Sequence, residues 1–289
     1  MNSITKTLLI SSITNIFLLI IKIVFGLIGR CSALVADGVH SLSDLLTDFI
    51  AIVGNKLSLK PADNKHPFGH GKIEYLTSLI IGIIIVILGF SLIYNSFNQE
   101  YIIPNFLVIV ISVVTIIAKY ILSNYIYKNG IKYNNSILIS SAKESKSDVL
   151  SSILVLITTI LMQFSSSFTP LKYADKIGTI IISLFIILTG YIVLKENISN
   201  ILDEQITDKD YINKLKDIII SFDEIISIDS LYVLKNGPYY KLMSNVIMKE
   251  GITLNLAHEV IDEIEDKIKK NDDRIKYVFI HMEPKEKIN

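Results

Sequence analysis

The chain has 289 residues, 51% of them hydrophobic and 19% charged, and its 28 Lys and Arg balance 28 Asp and Glu. An average soluble domain carries roughly 25% charged residues, so this chain is unusually apolar, and neutrality without a basic cluster argues against a nucleic-acid binder. A single cysteine, Cys31, excludes both an intrachain disulfide and a Cys-rich zinc site.

The zero net charge is the sum of two unlike segments. Residues 1–200 hold 15 basic and 10 acidic side chains, whereas residues 201–289 hold 13 and 18. In the first segment six stretches approach the roughly 20 apolar residues that a bilayer-spanning helix needs. They lie near Leu8–Ile28, Ala33–Val53, Leu76–Tyr94, Ile102–Tyr125, Ile137–Phe164 and Ile177–Leu194. A soluble bundle of buried helices is the rival reading, and six such runs with so few charges argue against it. The first run is expected to stay as a span, because its length is that of a membrane helix and no small-residue cleavage site follows it.

Basic residues in short connections orient the spans. The second-to-third connection carries Lys56, Lys60, Lys65 and Lys72 and the fourth-to-fifth carries Lys128 and Lys132, while Asn95–Tyr101 carries none. With Lys6 at the start, both termini are expected in the cytoplasm of a bacterial-type cell, although Arg30, Lys172 and Lys176 fall on the opposite side. Residues 1–200 thus read as a six-helix transmembrane transport domain.

Residues 201–289 change character. Asp208–Phe222 has the period of an amphipathic helix, Ile225–Leu234 and Tyr239–Lys249 read as strands about the turn Asn236-Gly237-Pro238, Leu256–Lys270 as a charged helix and Tyr277–His281 as a last strand. This is a cytoplasmic α+β domain with a small core, expected to lean on a second copy of the chain. The fold class is therefore an α-helical membrane protein with six transmembrane helices plus a C-terminal cytoplasmic α+β domain.

Ionisable groups at the centre of a membrane helix cost roughly 2.5–3.5 kcal/mol each on insertion scales. Here they concentrate in two spans: Asp37, His40, Asp44 and Asp48 in the second, and Lys143, Glu144, Lys146 and Asp148 in the fifth, with Lys22 and Lys119 the exceptions elsewhere. His40 and Asp44 are four residues apart, as are Glu144 and Asp148, so each pair projects from one helix face and the two pairs have the means to converge. One imidazole and three carboxylates suit a tetrahedral divalent ion such as Zn2+, and the excess of oxygen also suits Fe2+ or Mn2+. The competing reading makes these carboxylates helix–helix ion pairs, for example to Lys143 and Lys146. It fits Asp37 and Asp48, nearer the span ends, better than the four-residue constellation.

Two further groups lie outside the spans. Asp63, His66 and His70 share a Pro- and Gly-rich loop in which Gly69 and Gly71 let the chain fold back around one ion. In the tail, Asp229, His258, His281 and Glu283 are candidate metal ligands, with Asn245 on a neighbouring strand. His258-Glu259 does not open a metalloprotease motif, since Asp262 stands where a second histidine is required, and Gly69-His70-Gly71-Lys72 lacks the first glycine of a phosphate-binding loop. An intramembrane metal hydrolase is accordingly disfavoured, while a passive metal channel stays as the rival to a transporter.

The segments Ala36-Asp-Gly-Val-His-Ser-Leu-Ser-Asp44, Lys60-Pro-Ala-Asp-Asn-Lys-His-Pro-Phe-Gly-His-Gly-Lys72 and Glu144-Ser-Lys-Ser-Asp-Val-Leu-Ser-Ser152 resemble, in kind and order, the cation diffusion facilitator (cation efflux) family. The resemblance spans nearly the whole chain. It implies a homodimeric antiporter in the lipid bilayer that exports Zn2+, or Mn2+, Fe2+ or Cd2+, from the cytoplasm in exchange for protons. No organic cofactor, nucleic acid or enzymatic activity is implied. By resemblance the transport site falls on His40, Asp44, Glu144 and Asp148, a loop site on Asp63, His66 and His70, and an interlocking salt bridge on Lys72 and Asp203. The C-terminal domain is similar to a metallochaperone, ferredoxin-like fold with regulatory metal sites. This chain departs from zinc-transporting members at Glu144, where they usually place His, and at Asp229 and Asn245, which stand where the family has further histidines.

Overall fold

The computed structural model of the protein describes residues 3–98, 100–133 and 135–284. Six long helices come first: α1 (Ser3–Ile28), α2 (Ser32–Ser58), α3 (Ile73–Asn98), α4 (Phe106–Lys132), α5 (Ser136–Gln163) and α6 (Ala174–Ile201). Among the described residues five helices are long and apolar enough to cross a membrane, and α2, of matching length, is the helix that carries Asp37, His40 and Asp44. Large apolar side chains such as Phe17, Ile87, Ile117 and Phe185 point outward, the pattern expected when lipid, rather than water, is the solvent.

The fourth helix starts later than the hydropathy of Ile102–Tyr125 suggests. Pro104 cannot donate within a helix, and Asn105 takes the cap position, its side chain accepting from Leu107 N at 3.1 Å. A three-residue link then turns α4 into α5, with Asn135 capping α5 by accepting from Leu138 N. So short a link makes the two helices antiparallel neighbours, and they pack along each other.

The start of α2 is capped from a distant element. Asp175, in the first turn of α6, accepts from Ser32 N at 2.9 Å and Ala33 N at 3.1 Å, so a carboxylate meets the positive end of the helix that carries His40 and Asp44. The surrounding core of Cys31, Ala33, Leu34, Ala36, Ile85, Val108, Val155, Ile182 and Ile186 is rich in small residues on α2, which let helix backbones approach closely.

The chain divides into two compact units, residues 1–49 with 80–193, and residues 50–79 with 194–289. In the second, α7 (Lys209–Ile220) and α8 (Leu254–Asn271) accompany β1 (Ile225–Asn236), β2 (Tyr239–Met248) and β3 (Ile275–Pro284). The sheet order is β1-β2-β3, with β1 antiparallel and β3 parallel to β2. Leu215, Ile219, Val233, Leu242, Val246, Ile264, Ile268 and Ile275 form its core. The opposite sheet face bears the cross-strand row Tyr232, Met243 and Phe279, all exposed.

The loop 59–72 belongs to this same unit. Asn236 Nδ2 donates to Phe68 O at 3.1 Å and Gly237 N donates to Tyr75 Oη at 2.8 Å. Gly71 passes so close to Asn236 O that a Cβ there would collide with it. At the end of α6, Asp203 adopts a left-handed conformation (φ 61°), the usual way to stop a helix. Lys72 Nζ donates to the released carbonyl of Ile201 at 3.1 Å and pairs with Asp203 at 2.9 Å.

Candidate metal centre

On α2, His40 and Asp44 face Asp148 of α5, and one donor atom from each of the three lies within 4.8 Å of the others. His40 Nε2 stands 3.9 Å from Asp148 Oδ1. His40 Nδ1 is buried with no hydrogen-bond partner, so the ring is not tied down by the outer partner that metal-ligating histidines usually have. Glu144 stands outside this group of three but lines the same cavity of about 60 Å3, beside Asp44 and Asp148. A water needs roughly 10–15 Å3 of such space, so an ion with a partial water shell fits.

The cavity has walls that spacing alone did not mark. From α1 come Ser11, Ser12 and Asn15, and from α4 comes Lys119. Asn15 Oδ1 is buried without a hydrogen-bond partner. Lys119, only 2% exposed, donates to Asp148 Oδ2 at 2.6 Å. The lysines next to the acids in sequence, Lys143 and Lys146, are exposed instead.

Asp37 has a separate, closed environment. It pairs with Lys22 of α1 at 2.8 Å, both side chains fully buried, and accepts from Ser151 Oγ at 2.6 Å and Ser152 Oγ at 2.8 Å. It is a helix–helix ion pair, as its position near the span end suggests, but its partner is a lone lysine in another span. Asp48 lies on α2, and the expectation of an ion pair there falls on a side chain outside the described residues.

In the loop, Asp63 is bracketed by two histidines: His66 Nδ1 at 3.2 Å from Oδ1 and His70 Nε2 at 3.4 Å from Oδ2. The imidazole centroids are 4.5 Å apart, and the three residues again offer donors within 4.8 Å of one another. Asp63 Oδ1 accepts from His66 N at 2.7 Å and Lys65 N at 2.9 Å. These backbone donors, His66 foremost, hold its carboxyl below the usual carboxylate range. His70 Nδ1 lies 3.2 Å from Pro61 O, a carbonyl that accepts when Nδ1 carries the proton, and this contact turns Nε2 toward Asp63. Gly69 takes a left-handed φ of 72° in the fold-back.

The tail residues do not gather within one chain. Among the described residues, the two groups above are the ones that bring three donors together. His258 sits on α8 and pairs with Asp262 one turn on, at 3.3 Å. His281 and Glu283 lie on β3, 3.9 Å apart, and Asn245 Nδ2 donates to Glu283 at 3.3 Å. The cause is alternation: Leu242 and Val246 face the α8 side of the sheet, so Asn245 and its register partner His281 face away from the helix that carries His258. Asp229 is exposed in a β-bulge between Ile228 and Ser230.

Residues 8–202 match the cation efflux transmembrane domain, and residues 207–285 match the cytoplasmic domain of cation efflux proteins. The manganese efflux system protein MneP of Bacillus subtilis (strain 168) is 30% identical over 284 residues, covering 96% of this chain and 95% of that protein. MneS of the same strain, also named a manganese efflux system protein, is 26% identical over 288 residues, covering 96% and 94%. A cadmium, cobalt and zinc/H(+)-K(+) antiporter of Bacillus velezensis is 26% identical over 285 residues, covering 96% and 88%. Two polar clusters on membrane-length helices and their adjoining loop, a small α+β domain and full-length relatives converge on one conclusion: the chain is an integral membrane protein of the cation diffusion facilitator (cation efflux) family.

Proposed function

We propose that this chain exports a divalent metal ion, Mn2+ in preference to Zn2+, in exchange for protons, and that His40, Asp44, Glu144 and Asp148 carry the ion across. The observation that carries the reading is the cavity between α2 and α5, lined by Asp44, Glu144 and Asp148, with His40 offering a donor within 4.8 Å of those of Asp44 and Asp148. A set with three oxygen donors for each nitrogen matches Mn2+ better than the nitrogen- and sulfur-rich sets of most zinc sites. The names of the two Bacillus subtilis relatives point the same way. Zinc, the first expectation from the histidine-and-acid spacing, remains the second reading, favoured by the Bacillus velezensis antiporter.

Exchange follows from competition for the same atoms. A carboxylate or imidazole holds metal only when deprotonated, and imidazole changes charge near neutral pH. Metal enters from the cytoplasm, the helices rock, and protons taken up by His40 and the carboxylates from the other side release it. Both termini are cytoplasmic in this reading. Asp63, His66 and His70 bind a second ion at the loop, Lys72 and Asp203 lock the loop to the end of α6, and the domain 201–289 dimerises the protein and senses metal. Any tail site drawing on Asp229, His281 or Glu283 is completed by the second copy.

Uptake into sealed inverted vesicles with a panel of Mn2+, Zn2+, Fe2+ and Cd2+ tests the reading. Antiport predicts Mn2+ accumulation that collapses when the proton gradient is dissipated. Flux that persists without the gradient would identify a passive channel instead.

A further inference from the structure

The Lys119–Asp148 contact is unusual for its setting. A lysine inside a membrane helix is costly and is retained where it has work to do, and this one does not reach an interface: it is 2% exposed. It lies on α4 and spans the hairpin to α5, donating to Asp148 Oδ2 at 2.6 Å. The other oxygen of that carboxylate, Oδ1, is the one nearest His40 Nε2, at 3.9 Å. Asp148 is therefore shared, one oxygen on the lysine and one turned to the imidazole. Lys119 also lines the cavity with Asp44 and Glu144, so its charge is felt by the whole set.

Lys119 is the basic side chain among the residues that line the cavity, where it stands with Asp44, Glu144 and Asp148, and its ammonium group sits on the carboxylate whose other oxygen is turned to His40. We infer that Lys119 is the built-in countercharge of the transport site: a positioning residue that occupies one oxygen of Asp148, presents the other to the ion, and weakens the grip on a divalent cation enough to let it go. This rests on the reading of His40, Asp44, Glu144 and Asp148 as the transport site and extends it to α4.

The lysine opposes binding twice over, by Coulomb repulsion of the ion at short range in a medium of low effective dielectric and by competing for Asp148. Removing it strengthens ground-state binding without helping release, so KM and kcat fall together. A merely structural lysine would lower the amount of folded protein and leave KM alone.

The test measures initial rates of Mn2+ uptake against Mn2+ concentration, in proteoliposomes of fixed pH gradient, for the full chain and for Lys119→Gln, Lys119→Arg and Asp148→Asn. Lys119→Gln is expected to lower both KM and kcat about tenfold or more, and Lys119→Arg to stay within about threefold of the parent in each. If Lys119→Gln is not recovered in folded form, Lys119→Met takes its place, and Mn2+ added during purification is expected to restore either one, because the ion then supplies the missing charge. An unchanged or raised KM in the neutral variant, an arginine variant that behaves like the neutral one, or neutral variants that Mn2+ fails to restore would each overturn the inference. An active Asp148→Asn would overturn the transport-site reading itself, whereas an inactive Asp148→Asn beside a parent-like Lys119→Gln would overturn only the role of Lys119.

Discussion

Lys22 and Asp37 show what a closed ion pair does in this fold. Both side chains are fully buried, and two serines complete the acid's hydrogen bonds. Removing one member of such a pair leaves a buried charge alone and costs roughly 3–5 kcal/mol. Asp37→Ala is therefore expected to lower the thermal midpoint of the detergent-solubilised protein sharply, and Lys22→Met combined with it to recover most of the loss. A single Asp37→Ala as stable as the parent would show that the pair is dispensable. Asp148 differs, for its lysine partner leaves one oxygen turned to His40 in a cavity with room for an ion. The pairs His40/Asp44 and Glu144/Asp148 could be picked from sequence because i,i+4 spacing is local. Their lysine partners could not: Lys119 and Asp148 are 29 positions apart, and no spacing rule links residues across a hairpin. The exposed Lys143 and Lys146 were the nearer candidates, but they stand on other faces of α5.

Every α-helix and strand was legible as an element, but α4 and α6 run on to Lys132 and Ile201, seven residues past the ends read at Tyr125 and Leu194, because a helix continues beyond its apolar stretch. The misreadings have local causes. The fourth helix waits for Pro104 and Asn105, and the last strand runs over Ile275–Pro284 because parallel pairing with β2 extends it beyond its apolar stretch. That His258 stands apart from His281 depends on the side of the sheet on which α8 packs, which a single sequence does not state. Two predictions belong at this scale. Gly71→Ala forces a methyl group onto Asn236 O; overpacking typically costs 1–3 kcal/mol, and for a domain of this size about 1 kcal/mol lowers the midpoint by about 4–8 °C. A midpoint unchanged within error would show that the loop yields.

The second prediction concerns pH. Arg274 grips Asp272 with Nε at 2.9 Å from one oxygen and Nη2 at 2.7 Å from the other, and Tyr211 Oη donates to it at 2.8 Å. The arginine's hydrogen bonds, with help from the tyrosine, lower the Asp272 carboxyl from 3.8 to about 2. A carboxyl whose pKa is lower in the folded state stabilises that state fully above its unfolded value, and the contribution is lost as pH falls through the folded one. The parent should therefore lose stability between about pH 4 and pH 2 more steeply than Asp272→Asn, measured by thermal unfolding across that range. Parallel curves would contradict the assignment.

At the scale of the whole molecule, the balanced composition conceals a division of labour. The apolar first segment keeps few charges: Lys22 pairs with Asp37, Asp44, Glu144, Asp148 and Lys119 line one cavity, and Asp175 caps α2. The acidic second segment folds around a three-stranded sheet whose far face stays apolar and exposed along Tyr232, Met243 and Phe279. Choice of metal belongs at this scale, because it compares the full donor set with the ions a cell offers. Glu144→His is expected to raise Zn2+ uptake relative to Mn2+ by about tenfold in the vesicle panel, since it exchanges an oxygen donor for a second imidazole. An unchanged ratio would place selectivity with residues beyond the four.

If the ion passes through the cavity shared by α2 and α5, Mn2+ uptake into sealed vesicles under an imposed pH gradient depends on Asp148, which a comparison of the parent with Asp148→Ala at matched amounts of folded protein reads out. Uptake reduced to the level of empty vesicles is the predicted result. Gradient-driven uptake in the variant at a rate near that of the parent would contradict the account.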